Sequence, residues 1–150
     1  MRICSVRRWR MDQGNALVEF TFIAVMMIVV MLGIVEMGRF VLVYTTVANA
    51  ARVGARYAIV HGGERTGSGV NGPSGPGSTT QVKTVVKNFA SAGLLDTSRL
   101  NITVTYPSGL NTADSPVTVT VTYPYDAFVP YFSSLLNTTL GSTSEGVITF

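Results

Sequence analysis

The sequence contains one cysteine, Cys4, close to its start, so neither an internal disulfide nor a cysteine-based metal cluster can form. Cys4 precedes the long apolar run rather than following it, which argues against a lipoprotein cleavage site. Charge is also scarce. Charged residues are 13% of the 150, about half the usual share, and mean hydropathy is +0.36. That excludes a disordered charged tail and argues against an ordinary cytosolic enzyme. His61 is the only histidine. No Ser/His/Asp set, paired catalytic carboxylates, phosphate loop or metal-ligand cluster can be assembled, so no catalytic residue, cofactor site or metal site is assigned. The net charge of +3 comes from the first fourteen residues, where Arg2, Arg7, Arg8 and Arg10 face Asp12 alone. From Asn15 onward seven basic residues balance seven acidic ones. A polyanion partner needs a persistent basic patch, so nucleic-acid binding has no support.

What the sequence does have is an uncharged apolar run of sixteen residues from Phe20 to Val35. As a helix it covers about 24 Å, and extension back to Ala16 approaches the roughly 30 Å hydrocarbon thickness of a bilayer. A membrane span over about 16–36 is expected. A cleaved secretory signal shares the basic start and apolar core, but this run exceeds a typical signal core and continues into more helical sequence. No proline occurs between Glu36 and His61. At 100° per residue, Phe40, Val43, Tyr44, Val47, Ala50, Ala51, Gly54 and Ala58 share one face, with Thr45, Asn49, Arg52 and Arg56 opposite. One helix over 15–61 is predicted, its outer part an amphipathic stem.

Gly62 to Ser78 holds seven glycines and two prolines and reads as a flexible loop over about 62–80. Thr79 or Thr80 should cap a short helix with Val82, Val85, Val86, Phe89 and Ala90 at helical spacing, ending near Gly93. Two alternating strands follow, one with Leu100, Ile102, Val104 and Tyr106, the other with Val117, Val119, Val121 and Tyr123, their threonines on a wet reverse face. Asp126 to Leu136 reads as a turn with a short helix, and Gly146 to Phe150 as a last strand. The expected class is α+β: a long N-terminal helix packed on a small antiparallel sheet with a short helix, the outer domain covering 81–150. Cover for the sheet should come from Val47, Ala50, Ala51, Gly54 and Ala58 of the stem, whose small residues allow close approach.

The junction Gly14-Asn15-Ala16-Leu17-Val18-Glu19-Phe20 is the most informative stretch. A carboxylate inside an apolar helix carries an insertion penalty of about 2.5 kcal/mol or more, so Glu19 calls for a partner or a polar setting. Cleavage after Gly14 would supply one: the new Asn15 amine, one helical turn away, or the amine of a neighbouring copy. Glycine at the cut should hold that segment out of helix and extended for a protease.

The pattern G-x-x-x-x-E-F after a short basic leader, entering directly a membrane helix, resembles the processing site of type IV pilins of the tight-adherence (Tad, Flp) branch. Gly33-Ile-Val-Glu36-Met-Gly38-Arg39, Ala48-Asn49-Ala50-Ala51-Arg52 and Gly54-Ala55-Arg56-Tyr57-Ala58 resemble the TadE-like pseudopilins of that system. The resemblance spans roughly Gly14 to Gly62. It implies a leader over 1–14 removed by prepilin peptidase, Gly14 and Asn15 as processing site, and Glu19 and Phe20 in assembly. It further implies partnership with the major pilin, other minor pilins and the inner-membrane assembly platform, and a role in surface adhesion. The long outer part points to a minor pilin. Membrane lipid is the other expected partner. The leader arginines favour a cytoplasmic N-terminus and a periplasmic outer domain of a bacterial inner-membrane protein, which can pass into an extracellular pilus.

Plainer readings apply to the other charged residues. Glu36 and Arg39, at i and i+3, suggest an exposed local pair worth about 0.2–0.5 kcal/mol. Arg52 and Arg56 read as a solvated face, and His61 as a helix C-terminal residue rather than a ligand. The alternative for the whole chain is a single-pass, membrane-anchored adhesion or sensing domain that enters no filament.

Overall fold

The computed structural model of the chain describes residues 8–94, 96–128, 133 and 137–149. Helix α1 (Arg8–Val60) is followed by helix α2 (Thr80–Ala90) and strands β1 (Asn101–Thr105), β2 (Pro116–Tyr125) and β3 (Thr138–Val147). The chain is α+β and divides into two units, Met1–Gly38 and Arg39–Phe150.

In the first unit α1 begins at Arg8 rather than at Asn15. Gly14 therefore lies inside the helix, correcting the expectation that it holds the chain extended. Arginine, methionine and glutamine before it are good helix formers, and one glycine costs only about 1 kcal/mol against alanine, too little to end a long helix. The leader's first seven residues, Cys4 among them, lie outside the described residues.

In the second unit α1 buries Val43, Val47, Ala50, Ala51, Gly54, Ala55 and Ala58, while Thr45, Asn49, Arg52 and Arg56 are exposed. Tyr44, expected on the buried face, is 52% exposed. Tyr44 and Ala55 lie on the same edge of the stripe about three turns apart, and the domain covers only the Ala55 end of it. Helix α2 turns Val82, Val86 and Ala90 inward. Its N-cap, Thr79, has helical backbone angles and makes no side-chain cap bond, contrary to expectation. Instead the Ser78 hydroxyl donates to Gln81 Oε1 at 3.1 Å. Beyond α2, the Gly93 and Leu94 amides both donate to the Ala90 carbonyl.

The sheet is an antiparallel meander in the order β1-β2-β3. Ile102 pairs with Val121 and Val119 with Ser144, which puts Ile102, Val117, Val119, Val121, Tyr123 and Tyr125 on the buried face. β3 is ten residues long and ends where the sequence pattern had placed a strand's beginning. Its composition, Thr-Thr-Leu-Gly-Ser-Thr-Ser-Glu-Gly-Val, has little apolar alternation, and only Leu140 is buried. Backbone pairing to β2, with contacts such as Thr120 to Thr143 at 3.0 Å, holds it. The helix expected within 126–136 falls largely outside the described residues.

The stem, α2 and the sheet meet at Gly54. A Cβ built there would lie 2.5 Å from Val86 Cγ2, 3.1 Å from Val119 Cγ1 and 3.7 Å from Val82 Cγ1. Each valine so buried contributes about 1.5–3 kcal/mol, so this triple contact is a main source of the domain's cohesion. At the far end of the stem, the Thr149 amide donates to the Ile59 carbonyl at 3.0 Å, tying the chain beyond β3 to the last turn of α1.

The glycine-rich segment after α1 is ordered around one serine. Ser74, 1% exposed, donates to the His61 carbonyl through its amide at 2.6 Å and its hydroxyl at 2.8 Å. Tyr106 Oη donates to Ser74 Oγ at 3.2 Å, and Asn111 Nδ2 donates to the Ser74 carbonyl at 3.1 Å. The Gly63 amide donates to the Asn111 carbonyl at 2.7 Å. Glycine suits this packing, since a Cβ at Gly75 would fall 2.7 Å from Asn111 Nδ2. The tip between Gly63 and Asn71 remains largely exposed.

Candidate functional site

The first unit has the chemistry of a surface meant to be covered. Leu17, Phe20, Phe22, Ile34 and Val35 are each more than 65% exposed. Among the described residues, α1 is the one helix long and apolar enough to cross a membrane, and none of its most apolar window is buried within the chain. Apolar area costs about 25 cal/mol per Å² in water, so lipid or neighbouring helices must cover this segment.

Two features of that segment have no structural role among the described residues. Gly14 sits in helix, and a Cβ there would meet no atom within 4 Å. Neither a positive φ nor close packing requires glycine at this position, which therefore carries its helix cost without structural return. Glu19 is exposed on the same stretch, one turn from Asn15, and among the described residues it makes no ion pair or hydrogen bond. Phe20 beside it is 71% exposed. Thr21, by contrast, settles its hydroxyl on the Leu17 carbonyl at 2.8 Å, as threonines in apolar helices commonly do.

Glu36 differs from Glu19. It is 2% exposed between the bare Val35 and Met37, which corrects the expectation of an exposed local pair. Arg39, the first residue of the second unit, reaches across to the sheet: its guanidinium lies 5.2 Å from the Tyr125 ring centroid, and Nη1 donates to the Asp126 carbonyl at 3.3 Å. Phe40 meets Tyr125 edge-on at 5.2 Å. Arg99 forms an ion pair with Asp126 at 2.6 Å, and the bond to that carboxylate holds the guanidinium above its ordinary pKa.

Elsewhere several polar groups are committed to structure. His61 stacks on Tyr57 at 3.9 Å and its Nδ1 lies 2.9 Å from the Tyr57 carbonyl, at the end of α1. Burial raises the phenol pKa of Tyr57, partly offset by Arg65, and burial raises that of Tyr106 against the opposing bond to Ser74. The bonds from Ser98 lower the Asp96 carboxyl. Arg52 donates to Asn49 on the exposed face of α1. A cavity of about 170 Å³ is lined by Leu42, Thr45, Thr46, Asn49, Phe89, Ala92 and Gly93, without an ionisable group. The Thr45 and Thr46 hydroxyls are already bonded to backbone carbonyls of α1. Among the described residues no group of His, Cys, Asp and Glu could hold a metal ion.

Sequence reasoning missed the Ser74 cluster and the Arg39–Tyr125 contact, both of which join residues more than thirty positions apart. Comparison with known proteins bears on the helix. Residues 14–56 match the family model of TadE-like proteins, a segment that begins at Gly14 and contains Glu19, Glu36 and most of the stem. No curated protein and no solved structure matches the chain.

Proposed function

We propose, taking the TadE-like segment as premise, that this chain is a minor pilin of a tight-adherence pilus: membrane-anchored, processed after Gly14, and assembled with other pilins through its N-terminal helix. Prepilin peptidase removes the leader, and the new Asn15 amine, with a reference pKa of about 7.7–8.0, is largely cationic at neutral pH. Glu19 then neutralises that amine, or a neighbouring subunit's, once apolar helices exclude water around both. The major pilin and other minor pilins cover the exposed apolar face, and the assembly platform of the inner membrane extracts the helix from lipid. The outer domain contributes to a filament used in surface adhesion. Its role is structural rather than enzymatic.

The supporting observation is the pair Gly14 and Glu19, two residues that cost helix stability and insertion energy and that no contact among the described residues explains. Orientation follows from the leader arginines: N-terminus cytoplasmic, outer domain periplasmic. The decisive experiment is mass spectrometry of the protein from membranes and from sheared filaments. An N-terminus at Asn15 is expected in both. Retention of Met1–Gly14 beside an active prepilin peptidase would instead favour a membrane-anchored binding domain that enters no filament.

A further inference from the structure

We propose that the outer edge of β3 is a docking strand for a second copy of this chain, the two β3 strands pairing antiparallel about a two-fold axis at Thr143. This pairing goes beyond the pilin reading and is independent of it, since it concerns the folded domain alone. β1 and β3 are the two edges of the sheet. Edge strands are ordinarily blunted by shortness, proline, lysine, a bulge or a covering element, because their free backbone groups pair readily with another strand. β1 follows that rule: it is five residues long, and α2 packs against it. β3 breaks it. The strand is ten residues long, contains no proline, lysine or arginine, and matches β2 in consecutive pairs from Thr138 with Tyr125 to Val147 with Pro116, without a bulge. Among the described residues no strand lies on its outer side, and its backbone makes no hydrogen bond beyond the β2 ladder.

The side chains select the partner. Leu140 is the one buried residue of β3 and the others are mainly threonine, serine and glycine, so the edge offers backbone groups without a pocket that would choose a foreign side chain. A strand of the same length and pleat matches it from end to end. A two-fold axis through Thr143, perpendicular to the sheet, keeps the exposed faces of both sheets on one side and pairs residues 139 to 147 of each copy. Thr143 then faces its own mate, Ser142 faces Ser144, and Val147, 51% exposed, lies against Thr139. Glu145, the only charge in the strand, faces Gly141, and the two carboxylates stand about 14 Å apart along the strands, beyond the screening length of physiological salt. A parallel, in-register pairing would instead set Glu145 on Glu145. The antiparallel dimer also closes on itself, since its combined sheet ends on both sides in β1, the short guarded edge. Phe40 lies beside Tyr125 and Gly54 beside Val119, so the stem runs along β2, and antiparallel pairing points the two stems in opposite directions. Such pairing joins copies presented by two facing surfaces rather than neighbours on one.

The test uses the full chain with Cys4 changed to serine, so that introduced cysteines are the only thiols. In detergent solution under mild oxidation, Thr143→Cys should form a disulfide-linked dimer. Val147→Cys should link in a mixture with Thr139→Cys but not by itself, because its own mate lies about 27 Å away along the strands. Ser68→Cys, on the exposed tip, should stay unlinked. Vesicles shown by flotation to carry the chain should tether one another. Thr143→Lys sets like charges opposite each other on the axis and should cut tethering about fivefold, while mixing Thr143→Lys vesicles with Thr143→Glu vesicles should restore it. Thr143→Cys linking no faster than Ser68→Cys, Val147→Cys linking to itself, wild-type vesicles that fail to tether, or Thr143→Lys vesicles that tether as the wild type does would each overturn the pairing. Leader removal and filament incorporation enter none of these readouts, so failure here leaves the pilin reading standing.

Discussion

Gly54 faces Val86 so closely that a Cβ on the glycine would lie 2.5 Å from the valine Cγ2. The stem and α2 therefore meet backbone against side chain. Gly54→Ala must push α1 away from α2 and β2, at a cost of about 1–3 kcal/mol despite the better helix propensity of alanine. Gly38→Ala is the control, since its Cβ would meet nothing within 4 Å and it should gain up to about 1 kcal/mol of helix propensity. Urea unfolding of the detergent-solubilised protein, followed by tyrosine near-UV dichroism, should separate the two. Equal effects would remove close approach as the reason for glycine at 54.

Gly14→Ala should leave folding untouched and abolish leader removal. The added methyl group meets nothing within 4 Å, so a change in processing arises from the scissile segment and its fit to the protease rather than from lost packing. Because Gly14 lies in helix, cutting also requires local unwinding, and alanine raises that cost by about 1 kcal/mol. Gel mobility of the membrane-extracted variant gives the answer. A processed band of wild-type intensity would refute the assignment of the cut.

Glu19→Ala and Glu36→Ala should fail in different ways. Glu19 is exposed and makes no bond among the described residues, so its removal leaves folding and insertion intact while reducing incorporation into filaments. Loss of a charge partner in a dry helix bundle costs roughly 3–5 kcal/mol, less where water penetrates. Glu36 is buried and already engaged, and its truncation should lower stability by about 1–3 kcal/mol. Filament-to-membrane ratio for the first and urea midpoint for the second are the measurements. The inverse pattern would exchange the two roles.

Alkaline stability depends on Tyr106. Burial raises its pKa above the ordinary tyrosine value near 10, so the neutral phenol is the folded form. Its contribution is complete below the unfolded-state pKa and is lost as pH rises through the higher folded-state value. Tyr106→Phe removes the bond to Ser74, costing about 1 kcal/mol at neutral pH, but should flatten the loss of thermal stability above about pH 10. A variant that loses stability with alkali as steeply as the wild type would place the titrating group elsewhere.

How much was legible depends on whether a residue's neighbours in sequence report its neighbours in space. Helical periodicity sufficed for Val47, Ala50, Ala51 and Ala58, and strand alternation for Val117 to Tyr123, because each side chain's direction follows from its own element. Tyr44 and Ala55 show the limit: they share an angular position, and only the tertiary packing decides which is covered. β3 was largely hidden because backbone pairing to β2, rather than apolar alternation, makes it a strand. The glycine-rich loop looked flexible by composition, while its order comes from Ser74, Asn111 and Tyr106, which lie far apart in sequence. At the candidate site, the spacing of Gly14 and Glu19 is plain in the sequence, but the helical state of Gly14 and the burial of Glu36 are not.

The Ser74 cluster divides the segment after α1 into a secured base and an open tip. A protease can reach the exposed residues 66–69 of that tip without entering the bonds that join His61, Ser74 and Asn111. Once nicked there, the chain becomes two polypeptides, one ending just past α1 and the other carrying α2 and the sheet. The buried stripe of α1 still fills the space between α2 and β2, with Gly54 seated against Val86 and Val119. Covalent continuity across the tip is therefore expected to be dispensable to the assembled domain, with the stem held as an insert clasped by the rest.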